Sequence, residues 1–181
     1  MTSAEKIRSA DLPALKLIHY PDPRLREVST PIDAVDDAVR ALAQRMAAIL
    51  SRASGVGLAG CQVGVTVRLF LAGVPDETGE GVMAYINPRI VEQSDPADDE
   101  EGCLSFPSIY TRIKRYNTVV LEAIDLEGRR FQQTAQGLMA RCFQHECDHI
   151  DGRMIIDRMG SVARLAHRKA LKQLEEDFAE L

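Results

Sequence analysis

Apolar positions along the chain alternate between helical and strand periods, and the changes of period mark out its elements. Val35, Val39, Leu42, Met46, Ile49 and Leu50 recur at three- or four-residue steps, which makes one stripe of a helix. Asp33 stands where it can cap that helix, and Ser54-Gly55 is set to end it. Residues 65–74 (VTVRLFLAGV) form an apolar run of strand length, followed by a turn over 75–81. A short strand at 84–86 stops at Asn87-Pro88, and Ile90-Val91 resumes extended structure. The acidic run 95–101 (DPADDEE) reads as a solvated loop. TRIKR (111–115) is extended, and NTVVLEAIDL (117–126) and RRFQQTA (129–135) predict a hairpin turning at Glu127-Gly128. A helical period returns over 137–150, with Gly152 as its C-terminal cap. A last amphipathic helix starts at Ser161, its inward face drawn from Val162, Leu165, Ala166, Leu174 and Phe178. Residues 1–14 carry no usable period and read as a flexible arm. The sum is one α+β domain over 1–181.

Composition narrows the setting. The chain has 181 residues, 45% of them hydrophobic and 27% charged, which suits one well-buried core. A net charge of −5 excludes a general basic field for DNA or an anionic membrane. No apolar run reaches the length of a membrane span. The first residues lack the apolar core of a secretory signal, so the four cysteines are expected as reduced thiols in a cytoplasmic protein.

The chemistry gathers in the helix at 137–150, which carries His145-Glu146-Cys147-Asp148-His149. Two histidines four residues apart share one face and can reach one metal ion, and Glu146 between them is the residue type that takes a proton from water at such a centre. A catalytic site of this kind needs a third protein ligand and leaves one position open. Asp151 and Asp157 could supply an oxygen. Among the cysteines, steps of about 100° per residue put His149, Cys142 and Cys147 at roughly 40°, 60° and 200° from His145. Cys147 therefore faces away into the core, and Cys142 sits a turn early as a pocket wall. Cys61 and Cys103 both lie in glycine-flanked loops that can approach the helix, and spacing leaves both open. The glycine-rich loop GVGLAGCQVG (55–64) is a poor phosphate loop, since no GK[ST] follows, but it can border a cleft and carry Gln62.

Three segments, GVGLAGCQVG, EGCLS and QHECDH, occur in the order and at about the spacing of the three motifs of the peptide deformylase family, which the chain resembles over roughly residues 15–160. HYPDPRLREVS near the start is similar too. The resemblance implies an α+β fold with antiparallel sheets packed around the central HExxH helix. It implies Cys103, His145 and His149 as ligands of one divalent ion, Fe²⁺ in the cell with Zn²⁺ or Ni²⁺ as possible replacements. Glu146 would be general base and acid, and Gln62 and the Leu104 N–H would stabilise the oxyanion.

The implied activity is removal of the formyl group from the N-formylmethionyl end of new polypeptides, with release of formate. Val56, Leu138 and Cys142 are candidates to hold the methionine side chain. Gly55, Gly57 and Gly102 offer exposed backbone to an extended peptide. Glu101 either holds its loop or borders the pocket. Tyr110 is either a contact beyond the methionine or a buried core tyrosine. In the family a C-terminal helix can contact the ribosome, and Arg164, Arg168, Lys169 and Lys172 are compatible with that. One position departs from the family pattern: Gly60 stands where an alanine is usual, which puts loop rigidity in question. The rival readings are another metal-dependent amide hydrolase and a purely structural metal site. A structural site would need neither Glu146 nor Gln62.

Overall fold

The computed structural model describes residues 1–53, 55–73 and 81–180. The expected helix end at Ser54 and most of the turn at 75–81 fall outside these residues. Strand order equals chain order. β1 (Gly57–Ala59), β2 (Leu69–Gly73), β3 (Val82–Cys103), β4 (Phe106–Ile124) and β5 (Arg130–Gln136) form one antiparallel sheet, β1-β2-β3-β4-β5. The β4–β5 pair is the hairpin that the alternation of 117–135 predicts, with Ile124 opposite Arg130.

Two strands are much longer than the sequence pattern suggests. The short extended pieces at 84–86 and 90–91 and the acidic run 95–101 all belong to β3, which is 22 residues long. Residues 95–101 are thus not a loop. Asp98 pairs across the strands with Arg112 at 3.3 Å, so cross-strand charge pairing favours this exposed ribbon in place of apolar burial. The hairpin turns at Leu104-Ser105 and carries Cys103 at its tip.

Helix α1 (Ser3–Arg8) replaces the expected flexible arm. Thr2 and Glu5 close a capping box at its start, and Ile7 is buried in the core. A single turn of helix is too short to show a period, which is why the sequence pattern missed it. Helix α2 (Asp37–Ala53) buries Val39, Leu42, Ala43, Met46 and Leu50, close to the expected stripe. Its cap is Asp36, whose carboxylate accepts from the Val39 N–H at 3.1 Å, and not Asp33.

Helix α3 (Gly137–Ile150) is wrapped by the sheet and buries ten of its 14 residues. Phe143 anchors it, packing on Tyr85 with ring centroids 4.9 Å apart, while Tyr85 stacks on Phe70 at 4.8 Å. After α4 (Ile155–Arg158), the expected last helix is two, α5 (Ser161–Ala166) and α6 (Arg168–Ala179), parted at His167. Its inward face also differs. Val162 and Leu165 are 81% and 65% exposed, and Ala166 and Phe178 are exposed too. Leu174 packs inward as expected, joined by Ala163, Ala170 and Leu171. The break at His167 resets the helical phase, so one stripe could not run through both halves.

Gly60 opens a short 3₁₀ turn, Gly60–Val63, that carries Gln62. A Cβ at Gly60 would lie 2.7 Å from the Val65 carbonyl oxygen and 3.3 Å from that of Val67. The following segment therefore passes directly over this residue, and glycine is a steric requirement of that path. Gly60→Ala is expected to destabilise the protein by about 1–3 kcal/mol through overpacking. A melting temperature equal to that of the parent would contradict this.

Candidate metal centre

The hairpin tip and α3 meet at the centre of the molecule. Cys103 Sγ lies 3.2 Å from His149 Nε2, which lies 3.2 Å from His145 Nε2. These three ligand atoms lie within 4.8 Å of one another, the spacing of donors around one ion. The ring orientation fits as well. His145 Nδ1 is held by Glu101 Oε1 at 2.6 Å, which directs its Nε2 toward the other two donors. His149 Nδ1 is buried without a hydrogen-bond partner among the described residues, so the imidazole's other nitrogen is its useful one.

The alternative ligands are occupied elsewhere. Asp151 accepts from Arg68 at 2.8 Å, and Asp157 pairs with Arg26 and the Met154 N–H. The Cys61 thiol donates to the His149 carbonyl at 3.4 Å from a fully buried position, and burial pushes its pKa up. Cys147 stays outside the group, as its helical angle requires.

Opposite fates await the two carboxylates here. Burial alone would raise Glu101, but His145 and Arg115 outweigh it and hold its pKa below the usual carboxylate range. Glu101 accepts from Arg115 Nη2 at 2.8 Å, from Arg115 Nε at 3.1 Å and from Arg141 Nη1 at 3.1 Å. It both holds its strand and borders the cleft, which joins the two roles that the sequence left as alternatives. Glu146 is raised to about 7, chiefly by burial, and its Oε2 has no hydrogen-bond partner among the described residues. The imidazoles diverge too. For His145, burial lowers the pKa, but Cys103 and Glu101 outweigh it and raise it well above the ordinary value. Burial and the neighbouring His145 lower that of His149, which favours a neutral ring.

Gln62 is fixed at both ends. Its Oε1 accepts from the Ala59 N–H at 2.8 Å, which turns its amide NH₂ toward Ser105 Oγ at 3.2 Å and Cys103 Sγ at 3.7 Å. A cleft of about 450 Å³ opens beside these groups. Gly55, Val56, Gly57, Gln62, Glu101, Gly102, Cys103, Leu104, Tyr110, Leu138, Cys142, His145 and Glu146 all line it, so every residue selected from the sequence is there except His149, which sits behind. Tyr110 is 60% exposed at the rim, which removes the core reading. Gly57 is an absence that the site uses: a Cβ there would fall 2.4 Å from Glu146 Oε1 and 2.6 Å from Cys142 Sγ.

Sequence reasoning missed Arg115, Arg141, Asp148 and Ser105. Arg115 also donates to Asp148 at 2.5 Å, and Asp148 receives Arg158 as well. The signal available was Asp148 itself, a charge inside a helix that the apolar pattern buries.

Fold and site together define a metal-dependent hydrolase of the HExxH type whose third donor is a thiolate. Comparison with known proteins narrows the class. Residues 14–165 match the polypeptide deformylase family model. The chain is 41% identical over 160 residues to the peptide deformylase of Alkalilimnicola ehrlichii, covering 88% of this chain and 90% of that one. It is 38% identical to that of Pseudomonas aeruginosa over 88% and 95% of the two chains. A plant peptide deformylase structure superposes with a TM-score of 0.87 at 38% identity, covering 92% of each chain. The Legionella pneumophila structure gives a TM-score of 0.82 at 34% identity, over 92% of this chain and 98% of that one. The chain belongs to the peptide deformylase family, hydrolases that remove the N-formyl group from nascent peptides. No helix among the described residues is long and apolar enough to cross a membrane.

Replacing Glu101 by Gln leaves the buried Arg115 short of countercharge, at an expected cost of about 3–5 kcal/mol. The sign with pH follows from the depressed pKa. Ionised Glu101 contributes stability above the unfolded value of about 4.3, and that contribution is lost as pH falls through the lower folded value. Urea unfolding from pH 7 to pH 3 should therefore lose less stability in Glu101→Gln than in the parent. Parallel curves would contradict it.

Proposed function

We propose that Cys103, His145 and His149 hold one divalent ion at which the formyl group of an N-formylmethionyl peptide is hydrolysed, with Glu146 as base and acid. The observation that carries this reading is the convergence of three donor atoms beside the buried carboxylate of Glu146, whose Oε2 has no hydrogen-bond partner among the described residues. One thiolate and two imidazoles suit Fe²⁺, Zn²⁺ or Ni²⁺, and Fe²⁺ is the ion of this reading. When bound, the ion supplies Lewis-acid polarisation and a water of lowered pKa.

Glu146 accepts the proton of the attacking water, a role that its value near 7 suits. It then returns that proton to the leaving amine. The Gln62 amide and the Leu104 N–H donate to the oxygen on which charge develops. Val56, Leu138 and Cys142 receive the methionine side chain, and the backbone at Gly55, Gly57 and Gly102 accepts an extended peptide, with Tyr110 beyond. The exposed Arg164, Arg168, Lys169 and Lys172 support docking of α5 and α6 on the ribosome. Salt-sensitive co-sedimentation with ribosomes, lost on truncation after Gly160, is the expected result.

Formate release from formyl-Met-Ala-Ser by anaerobically purified protein is the direct test. Glu146→Ala should keep metal and fold while losing turnover, and near-parental turnover would sink the assigned role. Cys103→Ala should lose its metal by elemental analysis. Gln62→Ala should lower turnover on the order of 10²–10³-fold.

A further inference from the structure

Behind α3, on the side away from the cleft, lies a second cavity of about 670 Å³ with a different chemistry. Six cationic side chains line it (Arg68, Arg89, Lys114, Arg115, Arg153 and Arg158) against two carboxylates, Asp148 and Asp151. This concentration of positive charge sits in a chain whose net charge is −5. Some of it is compensated. Asp151 takes Arg68, Asp148 takes Arg115 and Arg158, and Glu101 and Glu122 reach Arg115 and Arg89 from outside the cavity. Lys114 and Arg153 have no side-chain partner among the described residues, and both are exposed at this site.

We propose that this cavity binds a compact polyphosphate anion, the class that includes diphosphates and nucleotide polyphosphates. Arginine dominates the lining, and its planar fork grips phosphate oxygens in pairs. Arg115 is 7% exposed and Arg68 is only part-exposed, so these two guanidiniums are recessed in the cavity, while Arg89, Lys114, Arg153 and Arg158 stand exposed around it. The same geometry selects against an extended nucleic-acid backbone. Pro96 is part of the wall, and the strand that carries it also bears Asp95, Asp98, Asp99 and Glu100, which repel a polyanion running beyond the cavity. The cavity is also joined to the metal centre. Asp148 precedes the ligand His149, and its partner Arg115 grips the Glu101 that holds His145. A polyphosphate that draws Arg158 or Arg115 away from Asp148 therefore acts on the support of both imidazoles.

The test uses ¹⁵N-labelled, zinc-loaded full-length protein titrated with inorganic pyrophosphate and followed by amide chemical shifts. The expected result is saturable shifts at Lys114, Tyr116, Cys147 and Arg153. The double variant K114Q/R153Q should weaken that binding at least tenfold. Both substitutions lie outside the deformylase machinery, so formate release by the unliganded variant should stay within twofold of the parent. The variant's parental spectrum away from the cavity would show that it folds. Four results would overturn the proposal: no saturation up to 10 mM pyrophosphate, equal affinity in the variant, or shifts confined to Gln62, Cys103 and His145, which mean attack on the zinc. The fourth is an RNA oligonucleotide that binds as tightly at equal phosphate concentration.

Discussion

The side chain of Glu101 receives Arg115, Arg141 and the His145 imidazole at once, from β4 and from two turns of α3. Buried this deeply, a carboxylate is tolerable only because all of its lone pairs are used. Arg115 extends the arrangement to Asp148, so the same guanidinium touches one carboxylate beside each ligand-bearing segment: Glu101 lies two residues from Cys103, and Asp148 lies next to His149. The hairpin tip can therefore sit against the helix in only one register. The third donor of the metal centre arrives through tertiary electrostatics and not through local sequence.

That arrangement also divides labour between two acids of the same type. Glu101 is surrounded by donors and stays anionic, while Glu146 is buried beside Gly57 and is raised toward neutrality. Two carboxylates whose surroundings drive their pKa values apart are the usual mark of one structural and one chemical role. The imidazoles follow the same division, His145 oriented by Glu101 and His149 left neutral.

Where the chemistry obeys a local period, the sequence was legible. The helix at 137–150, the shared face of His145 and His149, Cys147 turned away from that face and the pocket-wall Cys142 all follow from 3.6 residues per turn. The family motifs then selected Cys103 over Cys61, and the geometry groups Cys103 with the histidines. What the sequence hid depends on partners far along the chain. Residues 95–101 look like a loop until 111–115 lies opposite, and Arg115 looks like a surface charge until Glu101 and Asp148 are beside it. Val162, Leu165 and Phe178 were misread because a helix was assumed to continue through His167.

A meander whose strands pair with their chain neighbours needs no long-range closure until the helix returns to the hairpin tip. Cys103 and His149 are 46 residues apart, and β4 and β5 lie between them in the chain. An ion shared by Cys103, His145 and His149 is therefore a cross-link as well as a reagent. It closes a loop in the same sense as a disulfide, and its binding energy adds to the folding of the hairpin and helix that present it. Loss of such an ion would remove a staple from the fold at the same moment that it removed the chemistry.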